Sequence, residues 1–176
     1  MATAKWALEP AHSELQFKIR HLMISNVTGS FHKFEGAVET EGDDLTTAKV
    51  TFSADVDSIS TNNEQRDGHL KSPDFFDVAS HPKLSFESTS FEKKDGESYK
   101  LNGNLTMHGV THPVSLDVEH GGVVKDPWGN TRTGFEINGK LNRKDWGLSW
   151  NNPTDTGGLM LGEDVKIHAN VEFVKA

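Results

Sequence analysis

Cysteine is absent from the 176-residue chain, which excludes disulfides, thiol nucleophiles and thiolate metal sites together and leaves either redox compartment open. Basic residues are in the minority: Lys and Arg number 18 against 26 Asp and Glu, a formal net charge of −8. They form no run, which argues against a phosphate-neutralising groove for nucleic acid and against docking on acidic membranes. Long apolar segments are missing as well. Nothing approaches the ~18 consecutive apolar residues of a transmembrane helix, so stable membrane insertion is not expected. The opening MATAKWALEP lacks the continuous apolar stretch of about 7 to 15 residues that a secretory signal requires. A cytoplasmic protein is expected on that reading, or a periplasmic one if a leader has been removed.

Catalytic fingerprints are equally scarce. There is no G-x-S-x-G elbow, no H-E-x-x-H, no phosphate loop and no dinucleotide fingerprint. None of the Ser and Thr residues has an evident activating partner. Nine His are present, but His108 and His112, which flank a turn, lack a third ligand, so no metal site is expected. His12, beside Ser13 and after Pro10, reads as a turn or cap residue.

What the chain does have is alternation. Leu15, Phe17 and Ile19 alternate with Gln16, Lys18 and Arg20, and Val50, Phe52, Ala54 and Val56 alternate with Thr51, Ser53 and Asp55. The same period returns in KLSFESTSF, YKLNGNLTM, VSLDV, FEINGKL and VKIHANVEF, and adding KWALE and the Val27 to Val38 region gives about eight or nine strands in a chain whose length suits one domain, 1–176. Turn signals of the hairpin kind separate them (EGDD, KKDGE, HGVTHP, DPWGN), with no helical stretches of βαβ type between. The class is all-β and antiparallel, either a sandwich or a barrel; closure removes exposed edges, and a ring of about eight strands can surround a ligand. Only 34% of residues are apolar, yet ten Phe and four Trp are present, so the core depends on aromatic side chains. Gly36, Gly103, Gly134 and Gly139 within strands mark bulges, bends or close backbone approaches.

The stretch STNNEQRDGHLKSPDFFD interrupts this pattern. Thr61 and Glu64 have the spacing of a capping box, and Ser72-Pro73-Asp74 has that of a second helix start, so two short helices are predicted near 61–77. On such a helix Asp67 and His69 are about 200° apart and form no dyad; Asp67 is expected to pair with Lys71, and Arg66 to neighbour His69 or Leu70. Phe75 and Phe76 give the excursion an apolar surface suited to the open end of a barrel. In LNRKDWGLSWNNP, Trp146, Leu148 and Trp150 form either an aromatic corner that closes the barrel or, for Leu148 and Trp150, part of a ligand cavity.

Taken in order, WALEPAHS (6–13), FKIRHLM (17–23), GSFHKFEG (29–36), SISTNNEQRDGHLKSPDFFD (58–77), GNLTMHGVTHPV (103–114) and LNRKDWGLSW (141–150) make the chain resemble the YceI-like, lipocalin-like polyisoprenoid-binding proteins almost end to end. The resemblance implies an extended antiparallel barrel of about eight strands around an elongated pore that holds a lipid chain, with no cofactor and no established catalytic machinery. Many relatives are periplasmic, but no export signal is expected from this opening, so a periplasmic role is not carried over from them. The lipid is expected to be a long-chain isoprenoid such as a polyprenyl quinone or polyprenyl phosphate, or alternatively a fatty-acid derivative such as an amide. Its expected liners are Phe17, Ile19, Phe31, Phe34, Phe52, Val56, Phe75 and Phe76 from the first half of the chain. Phe86, Leu105, Met107, Phe135, Ile137, Leu148, Trp150 and Ile167 follow from the second, with Arg66 and His69 as head-group contacts. Strands of ten to twelve residues rising about 3.3 Å each give a channel on the order of 30–40 Å. Related barrels often pair, so a homodimer is expected. Two rival readings stand beside the carrier: an enzyme acting on the lipid head group through Arg66, Asp67 and His69, and a filled β-sandwich for protein interaction.

Overall fold

A computed structural model describes residues 2–22, 24–151 and 161–176. Its strands are β1 (Thr3–Leu8), β2 (Glu14–His21), β3 (Ser25–Phe31), β4 (Phe34–Glu41), β5 (Asp44–Asp55), β6 (Ile59–Ser60), β7 (Lys83–Asp95), β8 (Ser98–Met107), β9 (Val110–Lys125), β10 (Thr131–Asn142) and β11 (Leu161–Lys175). One α-helix, α1 (Glu64–Lys71), lies between β6 and β7. Hydrogen-bonded neighbours run β1-β4-β5-β7-β8-β9-β10-β11, and β1 then pairs with β11, so eight antiparallel strands close a barrel. The seam is set by Trp6↔Lys175, Ala7↔Val174 and Leu8↔Phe173. Closure, and not a sandwich, is the solution the alternating strands adopt, and it leaves the ring without a free edge.

β11 serves two partners. Its second half holds β1, while Val165 to Asn170 pair with Ile19 to Glu14 of β2, whose other edge carries β3 and then the two-residue β6. β1 and β2 are therefore one strand line broken at a 3-10 turn, Pro10–His12, where the proline occupies a first-turn position that needs no N–H. Beyond this break β2 and β3 extend the wall at one end of the barrel, called here the upper end.

The opposite, lower end is filled by rings. Phe91 stacks on Tyr99 with centroids 4.8 Å apart, and Phe135 stacks on His120 at 4.9 Å while meeting Phe173 edge-on at 6.0 Å. Such pairs add to burial through offset and T-shaped geometry. Outside this end Arg132 joins three carboxylates: Nε donates to Asp126 Oδ2 at 2.6 Å, and Nη1 donates to Glu172 Oε2 at 3.0 Å and to Glu9. His12 Nδ1 sits 2.9 Å from Glu9 Oε1, so the cluster fastens the β9–β10 turn and the broken strand line across the seam. The Arg132 hydrogen bond, helped by the amides of Asn130 and Trp128, outweighs desolvation and holds the Asp126 carboxyl at about 2 instead of the ordinary 3.8.

The excursion between β6 and β7 differs from expectation in three ways. First, Asn63 caps α1, its side chain accepting from Arg66 N–H at 3.0 Å. Thr61 is not the cap because Asp67 Oδ1 takes both its backbone N–H at 2.8 Å and its hydroxyl at 2.6 Å. Second, Asp67 is thereby withdrawn from Lys71, which instead lies 3.3 Å from Asp57. Third, Ser72-Pro73-Asp74 opens no second helix. Phe75 N–H and Asp77 N–H both donate to Ser72 O at 3.0 Å, and Asp77 adopts φ 50°, a tight turn that folds back on α1. Phe76 N–H reaches Leu70 O at 3.0 Å in the same turn.

Two glycines make opposite predictions. A Cβ on Gly103 would meet both Glu87 O and the Phe86 ring at 2.5 Å, and the carbonyl cannot move aside. Gly103→Val should therefore lower stability by about 1–3 kcal/mol. Gly68, in α1, has nothing within 4 Å of such a Cβ, so Gly68→Ala should raise stability by about 0.5–1 kcal/mol. Denaturant midpoints of the two variants check both signs. Asp126 carries the acid side: its folded value lies below its unfolded one, so its stabilisation is complete above pH 3.8 and fades as pH falls toward 2. Asp126→Asn should be less stable than the parent at neutral pH and should lose less further stability over that window, as followed by thermal melts against pH.

Candidate functional site

Between the aromatic floor and α1 the barrel encloses a cavity of about 600 Å³, within the range of small-molecule sites. Its wall is overwhelmingly apolar. Phe17 and Ile19 on β2, Phe31 on β3, Phe52 on β5 and Phe86 on β7 contribute to it. So do Leu105 and Met107 on β8, Ile137 on β10 and Ile167 on β11. Phe75, Phe76, Leu148 and Trp150 complete the set at the upper end, which places the post-β10 segment on the cavity.

Three expected liners are elsewhere. Val56 lies past the end of β5 in a 3-10 turn, Val56–Ser58, where it is 1% exposed and its N–H donates to Pro82 O at 3.0 Å. Phe34 packs its ring against Phe52, centroids 5.9 Å apart, and Phe52 is the one that reaches the cavity. Phe135 belongs to the floor, held between His120, Phe91 and Phe173. Conversely Leu101, Val114, Leu116, Val165 and Val171 line the cavity unforeseen. Their signal was available, since each shares period-2 parity with an expected liner or with a neighbour across a ladder. Leu8 lines it too, on β1, where it shares period-2 parity with Ala4 and Trp6.

The upper end is built by the excursion and by the turn after β10. Phe76 meets Phe31 edge-on at 6.3 Å, and Phe31 meets Phe17 at 5.7 Å, which ties the excursion to β2 and β3. Phe75 faces the other way, 5.2 Å from the Trp150 ring, and His69 sits against both, 5.1 Å from Phe75 and 4.7 Å from Trp150. His69 Nε2 lies 2.9 Å from Asp74 Oδ2, which orients the imidazole. Arg66 donates from Nε to Thr61 Oγ1 and from Nη2 to Thr61 O, both at 2.8 Å. Arg66, His69 and Leu70 share one face of α1 and line the cavity, while Asp67 is turned to Thr61 and does not. The Arg66, Asp67 and His69 side chains are thus not one group.

A residue that sequence reasoning passed over completes the collar. Arg143 follows β10 in a 3-10 turn, Arg143–Trp146, is 3% exposed, and is part of the cavity wall. Its Nε donates to Gly162 O at 2.8 Å, and its Nη1 to Leu148 O at 2.6 Å and Trp150 O at 2.8 Å. Its Nη2 is buried and has no acceptor among the described residues. Burial pulls the guanidinium below the ordinary arginine range, against the pull of Glu163. The turn itself is fixed by Trp146, 1% exposed, whose Nε1 donates to Leu105 O at 2.9 Å. His108 and His112 brace this turn: His108 Nδ1 lies 3.0 Å from Trp146 O, and the His112 ring stands 5.3 Å from that of Trp146. Among the described residues, Glu9, His12 and Glu172 are the group of ligand-type atoms near enough to share one ion; Arg132 already supplies the positive charge there.

The geometry agrees with what known proteins show. The YceI-like domain family model matches residues 6–173. A UPF0312 protein of Staphylococcus aureus is 43% identical over 169 residues, covering 96% of both chains. Among solved structures, the Campylobacter jejuni YceI protein superposes with a TM-score of 0.77 at 34% identity, over 89% of this chain and 90% of that one. Burkholderia cenocepacia BcnA has a TM-score of 0.82 at 18% identity, over 94% and 98% of the two chains. A polyisoprenoid binding domain from Saccharophagus degradans has a TM-score of 0.70 at 15% identity, over 97% and 98%. By its sequence match along nearly its whole length, this chain belongs to the YceI-like domain family.

Proposed function

We propose that the protein binds and carries one long-chain isoprenoid lipid, of polyprenyl quinone or polyprenyl phosphate type, without transforming it. The observation that carries this reading is the apolar cavity inside the closed barrel, about 600 Å³ and walled from Phe173 near the floor to Trp150 at the collar. A polyisoprenoid binding domain of the same fold supports the choice of lipid. A volume of about 600 Å³ corresponds to about 20 water-sized groups at ~30 Å³ each. About four isoprene units fit between the floor and the collar.

At about 0.8 kcal/mol per buried methylene, such a tail gains on the order of 16 kcal/mol before ordering and immobilisation are subtracted. One neutral hydrogen bond contributes about 1 kcal/mol. The tail therefore dominates affinity, and any single polar contact adjusts selectivity among lipids that share a tail.

A second reading has one specific observation behind it: His69, on the cavity wall, is paired with Asp74 at 2.9 Å, the arrangement of an oriented base. Turnover of prenyl phosphates or quinones that is lost in His69→Ala and kept in a surface variant such as Lys93→Ala would establish it; no turnover in the parent removes it.

Solvent extraction of natively purified protein followed by mass spectrometry tests the carrier directly. A stoichiometric isoprenoid species is expected, and absence of lipid together with no uptake of added polyprenyl chains overturns the proposal. The floor makes a finer prediction. Phe135→Leu shortens the ring plug beneath Phe173 and should shift the retained population toward longer tails, whereas Phe34→Leu, off the cavity, should leave the chain-length distribution unchanged.

A further inference from the structure

We infer that the bound lipid carries an anionic head and that Arg143 is the residue that receives it. The inference rests on the carrier reading and narrows it, because a quinone, an alcohol or an amide presents no charge whereas a phosphate or carboxylate does.

The wall of the cavity is chemically one-sided. The chain has 26 Asp and Glu, yet among the described residues none of them lines the cavity, and its charged liners are Arg66 and Arg143. Two imidazoles, His21 and His69, add further donors. For an acidic protein this is a segregated environment: a buried surface that excludes carboxylates and retains guanidinium groups favours a negative guest.

Arg143 is the less satisfied of the two. Arg66 spends its hydrogen bonds on Thr61 and lies near solvent on α1. Arg143 is 3% exposed, and its acceptors among the described residues are three backbone carbonyls. Carbonyl dipoles orient a guanidinium but do not neutralise it. The carboxylate whose charge acts on it, Glu163, is engaged at 2.7 Å by Lys144. Among the described residues Nη2 has no acceptor, and buried polar groups of native proteins are rarely left so. An oxyanion entering beside the collar supplies both missing things, a countercharge and an acceptor, in the geometry for which arginine is suited.

Position agrees with chemistry. Two of the carbonyls that hold Arg143 belong to Leu148 and Trp150, and the Trp150 ring touches His69, three residues along α1 from Arg66. The basic residues thus gather at the upper end, while the floor below Phe173 is made of rings. A lipid enters tail first toward the floor and leaves its head at the collar.

Tail-matched ligands test this: geranylgeraniol, geranylgeranyl phosphate, geranylgeranoic acid and its primary amide, titrated into delipidated protein. The parent should bind the phosphate, the carboxylate or both about tenfold or more tightly than the alcohol; which of the two is preferred distinguishes the sources of the charge. In Arg143→Gln that preference should fall to about unity while alcohol affinity is retained, and Arg143→Lys should restore part of it. Arg66→Gln should leave most of it in place. Equal affinity of the parent for all four ligands overturns the inference and requires no variant to fold. Loss of the preference in Arg66→Gln but not in Arg143→Gln also overturns it. Failure of every ligand, the alcohol included, would sink the carrier reading instead, so the two failures are separable.

Discussion

The pairing of β1 with β11 is the constraint on which the rest of the molecule depends. Once the sheet closes, each of the eight ring strands has a hydrogen-bonded neighbour on both sides, and one face of each is forced to look at the others across a shared interior. Sequence decides how that interior is occupied. At the lower end Phe91, Tyr99, Phe135 and Phe173 are large enough to meet and stack. Higher up, Leu101, Val114, Leu116, Ile137, Ile167 and Ala169 share the inward face with Phe52 and Phe86, and these side chains wall a cavity of about 600 Å³ without filling it. The same closure supplies an apolar wall and the rigidity that keeps it from collapsing.

A closed ring still has two ends, and the chain treats them differently. Below, ring stacking inside and the Arg132 cluster outside make a permanent floor. Above, the cover is assembled from short pieces held by polar contacts: the Thr61 hydroxyl and amide on Asp67, Arg66 on Thr61, and Arg143 on three carbonyls. Segments fastened by a few hydrogen bonds open at lower free energy than packed strands, so the proposed carrier would admit a chain at the upper end. The charge at that end and the aromatics at the other give the cavity a direction.

Much of this was legible in the chain, and the exceptions share a cause. Period-2 alternation reports which face of a strand a residue occupies, so Phe52, Phe86, Ile137 and Ile167 were read correctly as inward. Alternation carries no information about depth along the barrel axis. Phe135 faces the same interior as Ile137 but sits one step nearer the floor, where rings close the space, and Val56 lies just beyond the end of its strand. Local capping rules placed a helix correctly and its cap wrongly, because Asp67 competes for Thr61 through contacts that exist only once the helix has formed. Arg143 was visible only as a basic neighbour of Trp146 in LNRKDWGLSW, with no role attached. Its significance comes from backbone carbonyls at Leu148, Trp150 and Gly162, and backbone acceptors have no residue code.

The account is tested most directly by X-ray diffraction from crystals of protein purified natively with no lipid added. It predicts continuous tubular density running from Phe173 past Ile137 and Phe86, ending at the collar in an oxygen-bearing head within about 3 Å of the Arg143 guanidinium. An interior occupied by discrete ordered waters, or by inward-collapsed side chains with no space for a chain, would contradict it.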